Sequence, residues 1–486
     1  MHALAIALFF LPASHCLHSA ALHRRHALRA LAPHASPRFR ARVSALLRSW
    51  PASQLTAASA PWAISPISYG ADPTGVADSS PAFDAALAAL LARGTSGHHD
   101  ESGTVDLGGA LLDLEGGDYL LSRPLAFPSN YSNFGVAHGT LRAAPSFPPG
   151  AFVLDVGTAD APCVNWGDSC TEDVSLEDLF IDGSQVANGV RFNAVIGVNA
   201  GPDLFIVNWT KTGVDIEGGH EVLLHESWVA SCWYTPPDRC WLNATALGDT
   251  TAILIAGNDH YLNQVVAFGG LNGVVVDGAA NLLSGVHTWN TQVGAVPNAT
   301  GILVNSWQNR IETPYLDFLP LVLAGAALTT VTNGFFLGGA QIVFRPHPSG
   351  YPVRGVFISG HQFFAAGGAP DVVAAPGAAP YSSIEDVTIV GAMSDDPAAP
   401  RRSTTATVTL RNATSWAVDF APLLVWNAAD AATPLQAVTH SLWDCTAPPG
   451  ASFATVAGAL VTVAGPPAGV ACSCTVTVDQ SKRLGA

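Results

Sequence analysis

Five carboxylates stand close together in the middle of this sequence: Asp215, Glu217, Glu221, Asp259 and Asp277. His220, His260, His287 and Arg310 are interleaved with them or follow shortly after. Hydrolysis of an acetal between two sugars is the chemistry such a set serves. One protonated carboxyl assists the leaving oxygen and one ionised carboxyl activates water, about 6.5–9.5 Å apart if the anomer inverts. Asp259 is the first candidate for a catalytic carboxylate, with Glu221 or Asp215 as its partner. His287, Arg310, His260 and His220 are candidate substrate-binding residues, since a guanidinium can clamp a sugar carboxylate bidentately. Each has a structural alternative. Asp259 and Asp277 sit at turns, where Asp bonds its own backbone. The histidines can cap turns, and Arg310 can pair with Glu312 or Asp317.

What could position these groups is a motif written five times between Gly189 and Asp317. Copies begin at Gly189, Gly213, Ala252, Gly273 and Gly301, spaced 24, 39, 21 and 28 residues apart. Each is a short strand, a turn and a second strand, as in a solenoid with surface insertions. The second and fourth positions are aliphatic: Val214 and Ile216, Ile253 and Ile255, Val274 and Val276, Ile302 and Val304. That period of two turns one face inward. Eight residues into the copies stand Glu221, His260, Asn281 and Asn309, and ten residues in stand Leu223, Leu262, Leu283 and Ile311. Stacked aliphatics and a stack of Asn at a bend predict an all-β chain, a right-handed parallel β-helix. Its rungs, about 4.8 Å apart, would bring acids from different turns side by side.

The remaining composition fits one elongated domain and a smaller one. Gly and Pro are frequent and charges few, which suits short strands and tight turns. The net charge of −16 argues against a nucleic-acid partner, and an anionic substrate would need a locally basic site. Residues 1–21 resemble a signal peptide, and 22–63 form a low-complexity leader with seven Arg and no acid. A secreted location is expected, with plastid targeting as the alternative. Sequons at Asn130, Asn208, Asn243, Asn298 and Asn412 allow glycosylation on that route. The spacings Cys163/Cys170 and Cys232/Cys240, and Cys445 with Cys472 or Cys474, suit disulfides better than zinc. One of the last three cysteines is left over. No membrane span after the N-terminus, no metal and no cofactor are expected, and the chain is read as a monomer.

Ordered structure is expected to start at Ile64. Ser80-Pro81 opens a helix whose stripe of Phe83, Leu87, Leu90 and Leu91 would cap the open end of the solenoid. The β-helix is predicted over 64–397, and an antiparallel β module over 398–486.

The words Tyr69-Gly-Ala-Asp-Pro-Thr-Gly75 and Gly116-Gly-Asp-Tyr-Leu-Leu-Ser-Arg-Pro-Leu125 resemble the N-terminal signature of the pectate-lyase superfamily of parallel β-helices. Gly257-Asn-Asp259, Asn281-Leu-Leu-Ser-Gly-Val-His287, Gln308-Asn-Arg-Ile311, Tyr315-Leu-Asp317 and Ser415-Trp-Ala-Val-Asp-Phe420 resemble the quartet-type plant polygalacturonase-like proteins. The resemblance implies a pectin-lyase-like solenoid and a secreted glycosidase of wall polysaccharide. The chain departs from ordinary polygalacturonases, whose paired Asp-Asp word is reduced to Asn258-Asp259 and whose Arg-Ile-Lys reads Arg310-Ile-Glu312. Hydrolysis of a uronic-acid-rich polysaccharide by paired carboxylates is therefore the expected activity. A non-catalytic glycan-binding protein is one alternative. A calcium-assisted lyase is the other.

Overall fold

The computed structural model describes residues 62–96, 104–158, 171–231, 250–289, 299–375, 384–426, 437–447, 452–457, 459–464 and 470–481. The leader, Cys163, Cys170, Cys232, Cys240, Asn243 and Asn298 lie outside the described residues.

Each copy of the motif becomes one rung of three short strands, and the rungs stack into three parallel sheets. Sheet 1 contains Thr251–Ile255, Asn272–Val276, Thr300–Val304, Leu321–Ala324 and Ile342–Arg345. Sheet 2 contains Tyr261–Asn263, Leu282–Ser284, Arg310–Glu312, Thr330–Thr332 and Phe357–Ser359. Sheet 3 contains Val266–Phe268, His287–Trp289, Tyr315–Asp317, Phe335–Leu337 and Gln362–Phe364. Every ladder joining these strands is parallel. The longer strands Asn188–Ala200 and Thr212–His225 bend midway and serve sheets 1 and 2 in turn. This is a parallel β-helix, as the periodicity predicts.

All eight aliphatic residues at the second and fourth positions are fully buried. Sheet 2 departs from the predicted column by one residue. Leu223 pairs with Tyr261 and points outward, whereas Leu224 pairs with Leu262 and lies in the core with Leu283 and Ile311. From Ile216 to Leu223 the chain takes one residue more than from Ile255 to Tyr261, and Gly218 and Gly219, both at positive φ, absorb it. The position level with His260, Asn281 and Asn309 is consequently Val222, and Glu221 stands one place earlier.

At the bend between sheets 1 and 2 the predicted stack is a hydrogen-bonded ladder. Asn309 Oδ1 accepts the Asn281 backbone N–H at 2.9 Å, and Asn281 Oδ1 accepts that of His260 at 2.8 Å. His260 Nδ1 in turn accepts the Val222 N–H at 3.1 Å. The bend leaves these N–H groups without strand partners, and the side chains supply what burial would otherwise deny. Residues one place earlier, among them Glu221, Asp259, Ala280, Gln308 and Leu328, all adopt positive φ. Backbone turning, repeated at every rung, thus accounts for that conformation.

The helix Ser80–Leu91 buries Phe83, Ala86 and Leu90, and Phe83 packs edge-on against Tyr119 at 5.1 Å. Its N-cap is Ser79, and the Asp78 carboxylate accepts the Ser80 N–H at 3.0 Å. Beyond the parallel rungs, Thr405–Ala413, Cys472–Asp479 and Ala437–Trp443 form one antiparallel sheet, and Ser415–Asp419, Leu460–Ala464 and Phe453–Ala457 form another. Cys445 is bonded to Cys472, which leaves Cys474 as a buried thiol. Asn208 is buried, and its Nδ2 donates to Asp182 Oδ1 at 2.9 Å, so that sequon is not open to a glycan.

The ladder sets the first expected outcome. Asn281→Ala would strand the buried His260 N–H, and the unpaired donor should lower unfolding stability by about 1–3 kcal/mol. Urea unfolding followed by circular dichroism measures it. A loss below about 0.5 kcal/mol, as at an ordinary surface site, would show that the ladder contributes little.

Candidate functional site

The residues selected from sequence do not gather in one place. Asp215 is on the outward face of sheet 1, level with Arg191 and Leu254. Glu221 and Asp259 occupy successive rungs at the corner between sheets 1 and 2, where His220 Nδ1 lies 3.6 Å from Asp259 Oδ2. Asp277, also at this bend, is exposed and accepts Asn305 Nδ2 at 2.8 Å. Arg310 is exposed on sheet 2, and His287 is on sheet 3. Since sheet 2 separates that corner from sheet 3, Asp259 and Glu221 do not share a face with His287. His260 is corrected outright. It is fully buried inside the bend ladder, and burial first, then the charge of His220, lowers its pKa to about 4. It stays neutral and structural, not a contact for substrate.

Sheet 3 carries the arrangement that spacing alone conceals. Two rows of side chains point away from the interior. The first runs Phe180, Phe205, Trp228, Val266, His287, Tyr315 and Phe335. The second runs Asp182, Val207, Ala230, Phe268, Trp289, Asp317 and Leu337. Rings touch along the face. Phe205 stacks on Trp228 at 6.2 Å, Trp228 meets Phe268 at 5.7 Å, and Phe268 meets Trp289 at 5.4 Å. In the first row Trp228 is 37% exposed and the other six are half-buried, whereas Val207, Ala230, Phe268 and Asp317 of the second are buried although they face outward. The face is therefore a shelf sheltered along one side.

At its centre the His287 ring lies parallel to Tyr315 at 4.2 Å, and His287 Nε2 is 3.2 Å from Asp317 Oδ2. Asp317 Oδ1 has no partner among the described residues. Burial foremost, then the charge of Asp317 and its hydrogen bond, hold the Tyr315 hydroxyl protonated above its ordinary range. A carboxylate that fixes one imidazole nitrogen leaves the other to accept or donate a proton.

The chain is 32% identical over 372 residues to polygalacturonase QRT3 of Arabidopsis thaliana, across 74% of this chain and 73% of that protein. It belongs to the quartet-type polygalacturonase-like family. No family model matches this polygalacturonase-like chain. Among solved structures, ORF18 of Geobacillus virus E2 is similar at 11% identity and a TM-score of 0.49, over 84% of this chain and 78% of that one. The A-module of the Azotobacter vinelandii mannuronan C-5 epimerase AlgE4 is similar at 14% identity and a TM-score of 0.35, over 69% and 98%.

Sequence reading of this polygalacturonase-like chain missed Asp317 as a partner of His287. The signal available was the register: His287 is level with Tyr315, and Asp317 follows two places on along the same face. Asp215 has chemistry of its own. Arg191 grips Asp155 with two bonds of 2.9 and 2.6 Å, which leaves Asp215 beside a guanidinium already engaged. Burial first, then the charge of Glu217, raises the Asp215 pKa from 3.8 to about 6, against the pull of Arg191. A carboxyl that keeps its proton up to about pH 6, two residues from Glu217, has the character of a general acid. Yet Val275 and Val322, outward on the rungs above, are buried, so no open track for a polymer continues along sheet 1.

Because the folded state favours protonated Asp215, its contribution to stability is full below pH 3.8 and is lost as pH rises through about 6. Asp215→Asn should gain in melting temperature over the parent as pH goes from 4 to 7. A difference that stays flat across that range would show that the carboxyl is not desolvated.

Proposed function

We propose that the chain binds a uronic-acid-rich wall polysaccharide along the outward face of sheet 3 and hydrolyses it at His287 and Asp317. The observation that carries this reading is an imidazole–carboxylate pair set among outward aromatic side chains that recur on successive rungs. Sugar rings present apolar faces that stack on aromatics, and sheet 3 offers such surfaces rung after rung. Family membership points to the same class of substrate.

In this scheme protonated His287 donates to the departing glycosidic oxygen as the sugar approaches an oxocarbenium ion, and the neutral ring left behind takes a proton from the water that adds to that ion, with Asp317 stabilising the ring whenever it is charged. Asp317, sheltered and hydrogen-bonded to His287, keeps the ring oriented between turnovers. Asp182 is the other carboxylate in the two outward rows between Phe180 and Leu337. It lies five rungs away, roughly 24 Å at about 4.8 Å per rung, too far to share a water with Asp317. The sheet 3 reading thus replaces the paired carboxylates with an acid–base dyad.

One observation favours a second reading. Tyr315 lies flat against His287 with its hydroxyl held protonated. A base and a neutral phenol side by side are what elimination at a uronate needs: His287 removes the C5 proton and Tyr315 protonates the leaving oxygen.

Incubation with polygalacturonate separates the readings. Hydrolysis releases reducing ends without ultraviolet absorbance, and elimination releases both. His287→Ala and Asp317→Asn should each lower kcat/KM by roughly 10²–10⁴, whereas Asp259→Asn and Glu221→Gln should leave it near the parent value. Loss of activity in the corner variants with retention in the sheet 3 variants would return the chemistry to Asp259.

A further inference from the structure

The corner between sheets 1 and 2 exposes a second set of aromatic side chains, on a different side of the solenoid from the sheet 3 shelf. Trp307 is 45% exposed at this bend and meets Tyr351 edge-on at 5.8 Å. Tyr351, 42% exposed, rests on His347 at 4.6 Å. The segment that carries His347 and Tyr351 approaches the neighbouring rung closely at Gly325. A Cβ at Gly325, where φ is +66°, would sit 2.7 Å from the Tyr351 Cβ and 2.8 Å from the His347 Cβ. The aromatic platform is thereby pinned to the solenoid rather than left on a free loop. Isolated exposed rings need no explanation, but a braced and contiguous set does.

Two arginines share this surface. Arg310, three residues after Trp307, is exposed at the start of its sheet 2 strand. Arg354 is exposed where Val353–Arg354 bridges to Ala327, on the rung after next. Neither makes an ion pair among the described residues. The stabilising role open to Arg310, pairing with Glu312 or Asp317, is not taken up, since Asp317 pairs with His287. In a chain of net charge −16, cations that make no ion pair among the described residues, set beside exposed aromatics, are complementary to an anion that also has apolar faces.

We propose that Trp307, Tyr351, Arg310 and Arg354 form a second polysaccharide-binding surface, which anchors an anionic uronic-acid polymer without cleaving it. The proposal takes its polymer class from the function proposed above, but not its site. Hexose faces stack on Trp307 and Tyr351, and the guanidinium groups hold uronate carboxylates. Sheet 3 is then free to act on another stretch or another strand of the same material.

Retardation of the full chain in gels cast with sodium polygalacturonate, or with a neutral β-glucan, tests it. Trp307→Ala and the double variant Arg310→Gln/Arg354→Gln should each weaken polygalacturonate binding about tenfold, the scale of an interface hot spot. Their melting temperatures should match the parent. The loss in the arginine variant should shrink at high salt, and Trp307→Ala should still cleave short soluble uronide fragments at the parent rate. Unchanged retardation in both variants overturns the proposal, as does a parent chain that binds the neutral glucan as tightly as polygalacturonate. Retardation abolished by His287→Ala alone also overturns it, by placing all binding on sheet 3. A parent chain that cleaves nothing, yet loses polygalacturonate binding when Trp307 is removed, upholds this surface while overturning the hydrolase reading.

Discussion

Parallel register is the constraint on which every other feature rests. Each strand bonds to the strand one rung below and one rung above, so a residue's neighbours are set by its place in the rung rather than by nearness in sequence. Inward places must be apolar in every rung at once, and Val214, Ile253, Val274 and Ile302 meet that demand together. The bends are harder to satisfy. There the chain leaves the sheet while still inside the protein, and its N–H groups need acceptors that the next strand no longer offers. Asn309, Asn281 and His260 provide them in sequence along the stack, each through the same backbone position. A histidine can stand in an asparagine ladder because its neutral ring offers one acceptor nitrogen.

The same constraint explains what could be read from the sequence and what could not. Period-two aliphatics and repeated Asn reveal the solenoid because they report local geometry that recurs at each rung. They also identify the inward residues of sheet 1 without error. A constant offset fails as soon as one bend gains a residue, and Gly218-Gly219 is such a bend; it moves Glu221 out of the column shared by His260 and Asn281. Candidate site residues suffer more. Thirty residues separate His287 from Asp317, yet they meet, whereas Asp215 and Glu221, six apart, lie on different faces. Deciding which sheet each short strand joins requires the register of every rung, and insertions of unequal length hide it. The Asn208 sequon illustrates a different limit, since a three-residue pattern carries no information about burial.

Electrostatics divides the polar residues into those that hold the solenoid and those left for other work. Arg191 is committed to Asp155 by two short bonds and lies 3.7 Å from Glu217. Arg142 is joined to Asp118, and Arg123 to Asp84. These pairs cross between rungs or elements near the N-terminal half, where neighbouring strands bring opposite charges level. Asp215 shows the consequence of a stack in which acids outnumber bases: once Arg191 is engaged, a further half-buried carboxylate is cheaper to protonate than to pair. Arg310 and Arg354 make no ion pair among the described residues, and what sets them apart from other such cations is the exposed Trp307 and Tyr351 nearby.

A stiff prism with several faces can carry more than one relation to a long polymer. Sheets 2 and 3 are built from the same rungs, so the shelf around His287 and the corner around Trp307 stand in a fixed geometric relation that no hinge need maintain. Arg310 and the strand Tyr315–Asp317 belong to one rung and are separated only by the bend after Glu312. A polymer strand held at the corner would therefore raise the local concentration of neighbouring strands at the shelf by tethering, an effect governed by reach and not by new contacts. Were the polymer acidic, as proposed, like-charge repulsion would oppose its approach to a chain of net charge −16. Two arginines beside a braced aromatic pair would offset that repulsion locally, so a strand would be held at the corner and not over the whole surface.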